Sequence, residues 1–135
     1  DLHLSIRRQR QMCIRDSFQI MNYKTFRLLL FLYMILILSL SSLPAQSLPR
    51  TWLLNWDKLI HLIEYFILGI LAMKSFKKIN FNSVLIVITF GIVFGSVDEF
   101  LQSFISGRFS SGLDVLADTI GTTIGALLVS GNHKQ

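Results

Sequence analysis

Asp57, Lys58, His61 and Tyr65 stand in one short stretch of the chain, Asp98, Glu99 and Gln102 in a second, and Asp114 and Asp118 in a third, with Arg108 between the last two. On a helix, Asp57, His61 and Glu64 share a face and Tyr65 lies one turn beyond His61; Asp98 and Gln102 are a turn apart, as are Asp114 and Asp118. An imidazole among carboxylates suits general acid and base work, provided a substrate lies within reach. The planar fork of Arg108 suits a carboxylate of the protein or a phosphate of a ligand. The acids and His61 offer oxygen and nitrogen donors, but no HExxH or multi-histidine spacing accompanies them, so neither a metal nor a cofactor is expected. A serine-nucleophile elbow, a phosphate-binding glycine loop and a dinucleotide fingerprint are all absent.

Plainer roles stay open for each group. His61 is equally suited to a hydrogen-bonded structural role, and Arg108 to an internal salt bridge with Glu99 or Asp114. Lys58 at a helix end can extend to lipid headgroups, and Asp57 suits the positive end of a helix dipole.

The elements that must position these residues are apolar. Of 135 residues, 52% are hydrophobic and 16% charged, and the mean hydropathy of +0.55 lies outside the range of soluble domains. Four runs approach the roughly 20 residues needed to cross a bilayer: Leu28 to Leu43, Leu59 to Phe76, Val84 to Ile105 and Leu113 to Val129. The expected fold is an all-α membrane protein, a four-transmembrane-helix bundle. Gly91 and Gly95 in the third run, and Gly121 and Gly125 in the fourth, have the spacing that lets helices approach closely. Pro44 and Pro49 punctuate the loop after the first run. The net charge of +5 does not indicate nucleic acid, because so apolar a chain offers no basic face. One cysteine, Cys13, leaves no internal disulfide.

Residues 1–20 read as a non-native or disordered leader and residues 21–135 as the membrane domain; omitting the leader removes four arginines and two aspartates and leaves +3. Reading the first run as a signal peptide cleaved after Ala45 fits less well, because bulky Leu43 occupies a position that favours a small residue. Lys24 and Arg27 precede the first run, Lys74, Lys77 and Lys78 follow the second, and Lys134 follows the fourth, whereas Arg50, Lys58 and Arg108 lie on the opposite side. The positive-inside rule then puts both termini in the cytoplasm and the polar residues at the outer leaflet. Trp52 and Trp56 fit an aromatic anchor at that outer interface. Ionisable groups inside spans are costly and usually face a partner or a watery cavity, so their convergence on one leaflet marks the candidate site.

The same residues carry a family resemblance. Ser41-Ser42-Leu43-Pro44, Asp57-Lys58-xx-His61-xxx-Tyr65-xx-Leu68, Asp98-Glu99-xx-Gln102-x-Phe104-xx-Gly107-Arg108 and Asp114-xxx-Asp118-xx-Gly121-xxx-Gly125 occur in this order. Together they resemble the VanZ-like family of small bacterial integral membrane proteins, from the first run through the fourth. Asp118 departs from the family pattern, which usually has Asn; its extra carboxylate would either favour protonation of a neighbouring group or require Arg108 or Lys58 as counter-charge. The resemblance implies a multi-pass protein of the bacterial plasma membrane, and it carries the label of resistance to the glycopeptide teicoplanin borne by the family's founding member.

Three functions compete. The first is a polar site that binds an envelope-lipid headgroup, a lipid-linked cell-wall precursor or a glycopeptide; Arg108 and Lys58 would hold anionic groups and His61, Tyr65, Glu99 and Gln102 would supply hydrogen bonds. The second is an intramembrane enzyme acting on a lipid-linked substrate, with His61 and Glu99 or Asp98 as acid and base. The third, passage of protons or cations, lacks the second half of a polar pathway, because the inner halves of all four runs are almost wholly apolar.

Overall fold

A computed structural model describes residues 23–44, 50–107 and 111–132, with side chains in the second segment described from Trp56 onward. The described residues form four helices and no strand: α1 (Tyr23–Ser41), α2 (Arg50–Lys74), α3 (Phe81–Gln102) and α4 (Gly112–Asn132). The leader expected over residues 1–20 lies outside the described residues.

α1, α3 and α4 are each long and apolar enough to cross a membrane. α2 has the length, at 25 residues, but does not meet the same measure: it carries Asp57, Lys58, Glu64 and Lys74. Its exposed flank is nevertheless apolar, with Leu59, Ile60, Ile63 and Ile67 turned outward. Phe31, Leu32, Ile86, Val93, Ile124 and Leu127 do the same on the other helices. Apolar surface this continuous belongs against lipid rather than water.

The helix boundaries follow local chemistry. α1 stops just before Pro44, whose ring disfavours helical backbone at the preceding residue. Asn80, in extended backbone, caps α3 by accepting the Ser83 N–H at 2.8 Å, which starts the helix at Phe81 instead of at the apolar run beginning with Val84. α3 ends at Gln102, short of Ile105, and the turns that follow include Gly107 at φ 86°, backbone that suits glycine. α2 begins well before the apolar run at Leu59, so exposed Trp56 lies inside the helix rather than before it. Apolar patterning reports where a helix is buried in hydrocarbon or protein, and the backbone ladder continues past that point.

α4 sits most intimately against α2. A Cβ at Gly121 would strike the Leu62 carbonyl, one at Gly125 the Phe66 carbonyl, and one at Gly69 the Thr122 carbonyl, so the two backbones touch with no side chain between them. Across the other interface, a Cβ at Gly91 would lie 2.6 Å from the Thr122 side chain and one at Gly95 2.8 Å from Asp118 Oδ2. α3 therefore leaves room for polar side chains of α4. α1 docks through Ile37, buried with Tyr65, Leu68 and Phe94, and through the Tyr33 hydroxyl, which donates to the Glu64 carbonyl at 3.2 Å. Ala72, Met73, Val84, Val87, Ala126 and Val129 form the remaining core.

The helix order separates charge. Lys24 and Arg27 at the start of α1, Lys74 at the end of α2 and Lys77 and Lys78 just after it share one end, tied by the Arg27 Nε donating to the Ser75 carbonyl at 3.1 Å. The acids gather at the other end.

Candidate functional site

The polar end is built from all four helices. His61 of α2 and Asp118 of α4 meet at its centre, Nδ1 to Oδ1 at 3.0 Å, with both side chains buried. With the carboxylate as acceptor, Nδ1 carries the proton, and Nε2 is the ring nitrogen left for another partner. Of the two alternatives for Asp118, the described residues give it a protonatable neighbour, His61, and not Lys58 as counter-charge. Lys58 reaches Asp114 instead, Nζ to Oδ1 at 3.6 Å, with its own side chain 58% exposed.

Asp98 of α3, wholly buried, accepts from Ser41 Oγ of α1 at 3.0 Å and from Gln102 Nε2 at 3.1 Å, both on Oδ2. Glu99 accepts the Ser111 N–H on Oε2 at 3.0 Å. The Ser111 hydroxyl in turn accepts from the Leu113 N–H at 3.2 Å, and its carbonyl from the Asp114 N–H at 2.9 Å, so one residue starts α4 and ties it to α3. Asp114 lies in the first turn of α4, where the dipole favours a negative charge.

Tyr65 is wholly buried and stacks on His61, with ring centroids 6.5 Å apart. Phe94 lies 6.0 Å from Tyr65, and Phe90 5.8 Å from Phe94. A file of rings thus leads from the polar end into the core, where Tyr65 packs with Ile37, Leu68 and Phe94.

A profile of the family described as VanZ/LLP1 matches residues 5–131. The chain belongs to the VanZ/LLP1 family. No curated protein and no solved structure matches it. The matched span covers α1, α2, α3 and all but the last residue of α4, so all the polar contacts above lie inside the VanZ/LLP1 region.

Of the residues expected at the site of this VanZ/LLP1 chain, the structure joins nine into contiguous groups: Asp57, Lys58, His61, Asp114 and Asp118 between α2 and α4, Asp98 and Gln102 toward α1, Glu99 at the α3–α4 turn, and Tyr65 beneath His61. Arg108 lies outside the described residues. The groups differ in access: Asp98, Tyr65 and Asp118 are sealed inside, whereas Lys58 is exposed and Asp57 half-buried. Lys58 and Asp57 bring the cluster to the surface beside buried His61 and Asp114, which gives an outside molecule an approach on that side. Two partners were not anticipated as site residues. Ser41 belonged to a recognisable Ser-Ser-Leu-Pro stretch, but helical spacing cannot reveal that it reaches Asp98 fifty-seven positions away. Ser111 carried only the general signal of a serine ahead of a helix.

Proposed function

We propose that this chain is a multi-pass protein of the bacterial plasma membrane whose polar end faces the extracytoplasmic side and binds the headgroup of an envelope lipid, a lipid-linked cell-wall precursor or a glycopeptide. The observation that carries the reading is the convergence of polar side chains from all four helices at one end of an otherwise apolar bundle, with exposed Lys58 at the rim. A polar group at membrane depth is retained at a cost, which a ligand-binding role would explain. A phosphate-bearing headgroup suits the exposed Lys58 ammonium at the rim, and Arg108 is expected from the sequence to hold anionic groups as well. The segregation of Lys24, Arg27, Lys74, Lys77 and Lys78 at the opposite end supports the orientation. The resistance label attached to the family's founding member would be one instance of such binding.

The test is binding of envelope lipids and teicoplanin to the purified chain in nanodiscs. Lys58→Ala and Arg108→Ala are each expected to weaken binding of a phosphate-bearing ligand at least fivefold. Binding by both variants equal to that of the original chain, for every ligand tried, overturns the reading.

A second reading, an intramembrane enzyme acting on a lipid-linked substrate, is favoured by the His61 and Asp118 pair. A carboxylate that holds an imidazole in one tautomer leaves Nε2 for proton transfer. Product formation that disappears in His61→Gln supports the enzyme; binding without turnover supports the first reading.

A further inference from the structure

We infer that Asp57, His61 and Asp114 form a binding site for a divalent transition-metal ion of the zinc or manganese type. One ligand atom from each of the three lies within 4.8 Å of the others. Metal–ligand bonds of about 2.0–2.2 Å hold ligand atoms about 3–4 Å apart, so a bound ion needs only a small inward movement of the side chains. Half-buried Asp57 has the freedom to make it.

The surroundings suit an ion as well as the three donors do. His61 has its Nδ1 on Asp118, the arrangement by which an outer carboxylate orients a metal-binding imidazole and leaves Nε2 as the nitrogen that can ligate an ion. The neighbourhood is acidic: Asp98, Glu99, Asp114 and Asp118 are all buried there, and the lysine that reaches them, Lys58, approaches Asp114 from an exposed position. Buried charge requires pairing. That pairing is incomplete, because Asp114 Oδ1 and Glu99 Oε1 are buried without a hydrogen-bond donor. Lys58 approaches Asp114 Oδ1 only to 3.6 Å, beyond hydrogen-bond length, with an ammonium largely in solvent. A dication at Asp114 would supply the missing partner.

The donor set narrows the ion. One imidazole nitrogen and two carboxylate oxygens are borderline-hard ligands that favour zinc or manganese over copper(I), which seeks sulfur. Three protein ligands leave at least one coordination position for water or a phosphate oxygen. Such a site needs no occupied headgroup site and stands whether or not the lipid reading holds.

The full chain, stripped with a chelator in detergent and re-equilibrated with Zn²⁺ or Mn²⁺ alone, is expected to retain one equivalent of at least one of the two ions after gel filtration. Asp57→Asn preserves shape at a half-buried position and is expected to weaken the affinity at least tenfold by calorimetry, as is His61→Gln. If His61→Gln loses its helical circular dichroism, Asp57→Asn still decides the matter. No stoichiometric ion in the original chain, or an affinity unchanged in Asp57→Asn, overturns the site.

Discussion

His61 and Asp118 meet Nδ1 to Oδ1 at 3.0 Å across the interface where the α2 and α4 backbones come closest, one turn of α4 away from the glycine that makes the contact possible. Gly121 admits the Leu62 carbonyl next to His61, so the close approach of the backbones and the buried pair are one construction. Removing one member of a buried pair leaves an uncompensated polar group, which costs about 3–5 kcal/mol, whereas a change that keeps the hydrogen bond costs far less. Asp118→Ala is therefore expected to destabilise the chain strongly and Asp118→Asn, which retains the Oδ1 acceptor, mildly. Thermal unfolding in detergent checks the order, and a double-mutant cycle with His61→Ala should show coupling of about 0.5–3 kcal/mol. Equal losses for Asp118→Ala and Asp118→Asn would contradict the pairing.

The glycine contacts predict a sharp positional contrast. Gly121→Ala and Gly125→Ala put a methyl into the α2 backbone and should each cost about 1–3 kcal/mol or more through overpacking. Gly131→Ala meets nothing within 4 Å and should be neutral or slightly stabilising. The same unfolding measurement separates them.

Ser41→Ala removes a buried donor to Asp98 and should cost about 1.5–3 kcal/mol, the range for hydrogen bonds to charged groups. Ser42→Ala, one residue on, removes only a bond from an exposed hydroxyl to the Leu38 carbonyl and should change stability by less than about 0.5 kcal/mol. Loss of helix α1 docking in Ser41→Ala would also show as faster proteolysis after Pro44.

Lys58 competes with any cation for Asp114. Lys58→Ala should therefore tighten metal binding severalfold, while Asp118→Ala, by freeing the His61 ring to turn, should weaken it about 10–100-fold. Titration calorimetry with the stripped chain reads both, and a metal affinity insensitive to each change would argue against the ion's placement.

Orientation can be read by labelling. With Cys13 replaced by Ser, a membrane-impermeant maleimide added to intact cells should modify Ser106→Cys, in the turn beside the acids, and should modify Lys77→Cys only after permeabilisation. The reverse pattern would place the polar end on the cytoplasmic side.

The apolar runs, the glycine spacings and the gathering of acids at one end are all legible along the chain, because each depends on contacts within a turn or on the simple alternation of helix direction. Asp114, Asp118, Gly121 and Gly125 lie on one face at helical period, and that face is indeed buried. The partners across helices are another matter. Nothing in the spacing says that Asp118 takes His61 while Lys58 takes Asp114, that Ser41 reaches Asp98, or that Asp57 and His61 bring Asp114 within metal-binding distance. Those choices depend on the rotation and offset of each helix against its neighbours, and a shift of one residue turns a helix by about 100°. The tertiary structure decides them through the backbone contacts at Gly69, Gly121 and Gly125, which lock α2 and α4 in a single register and leave each carboxylate only the partner within its reach.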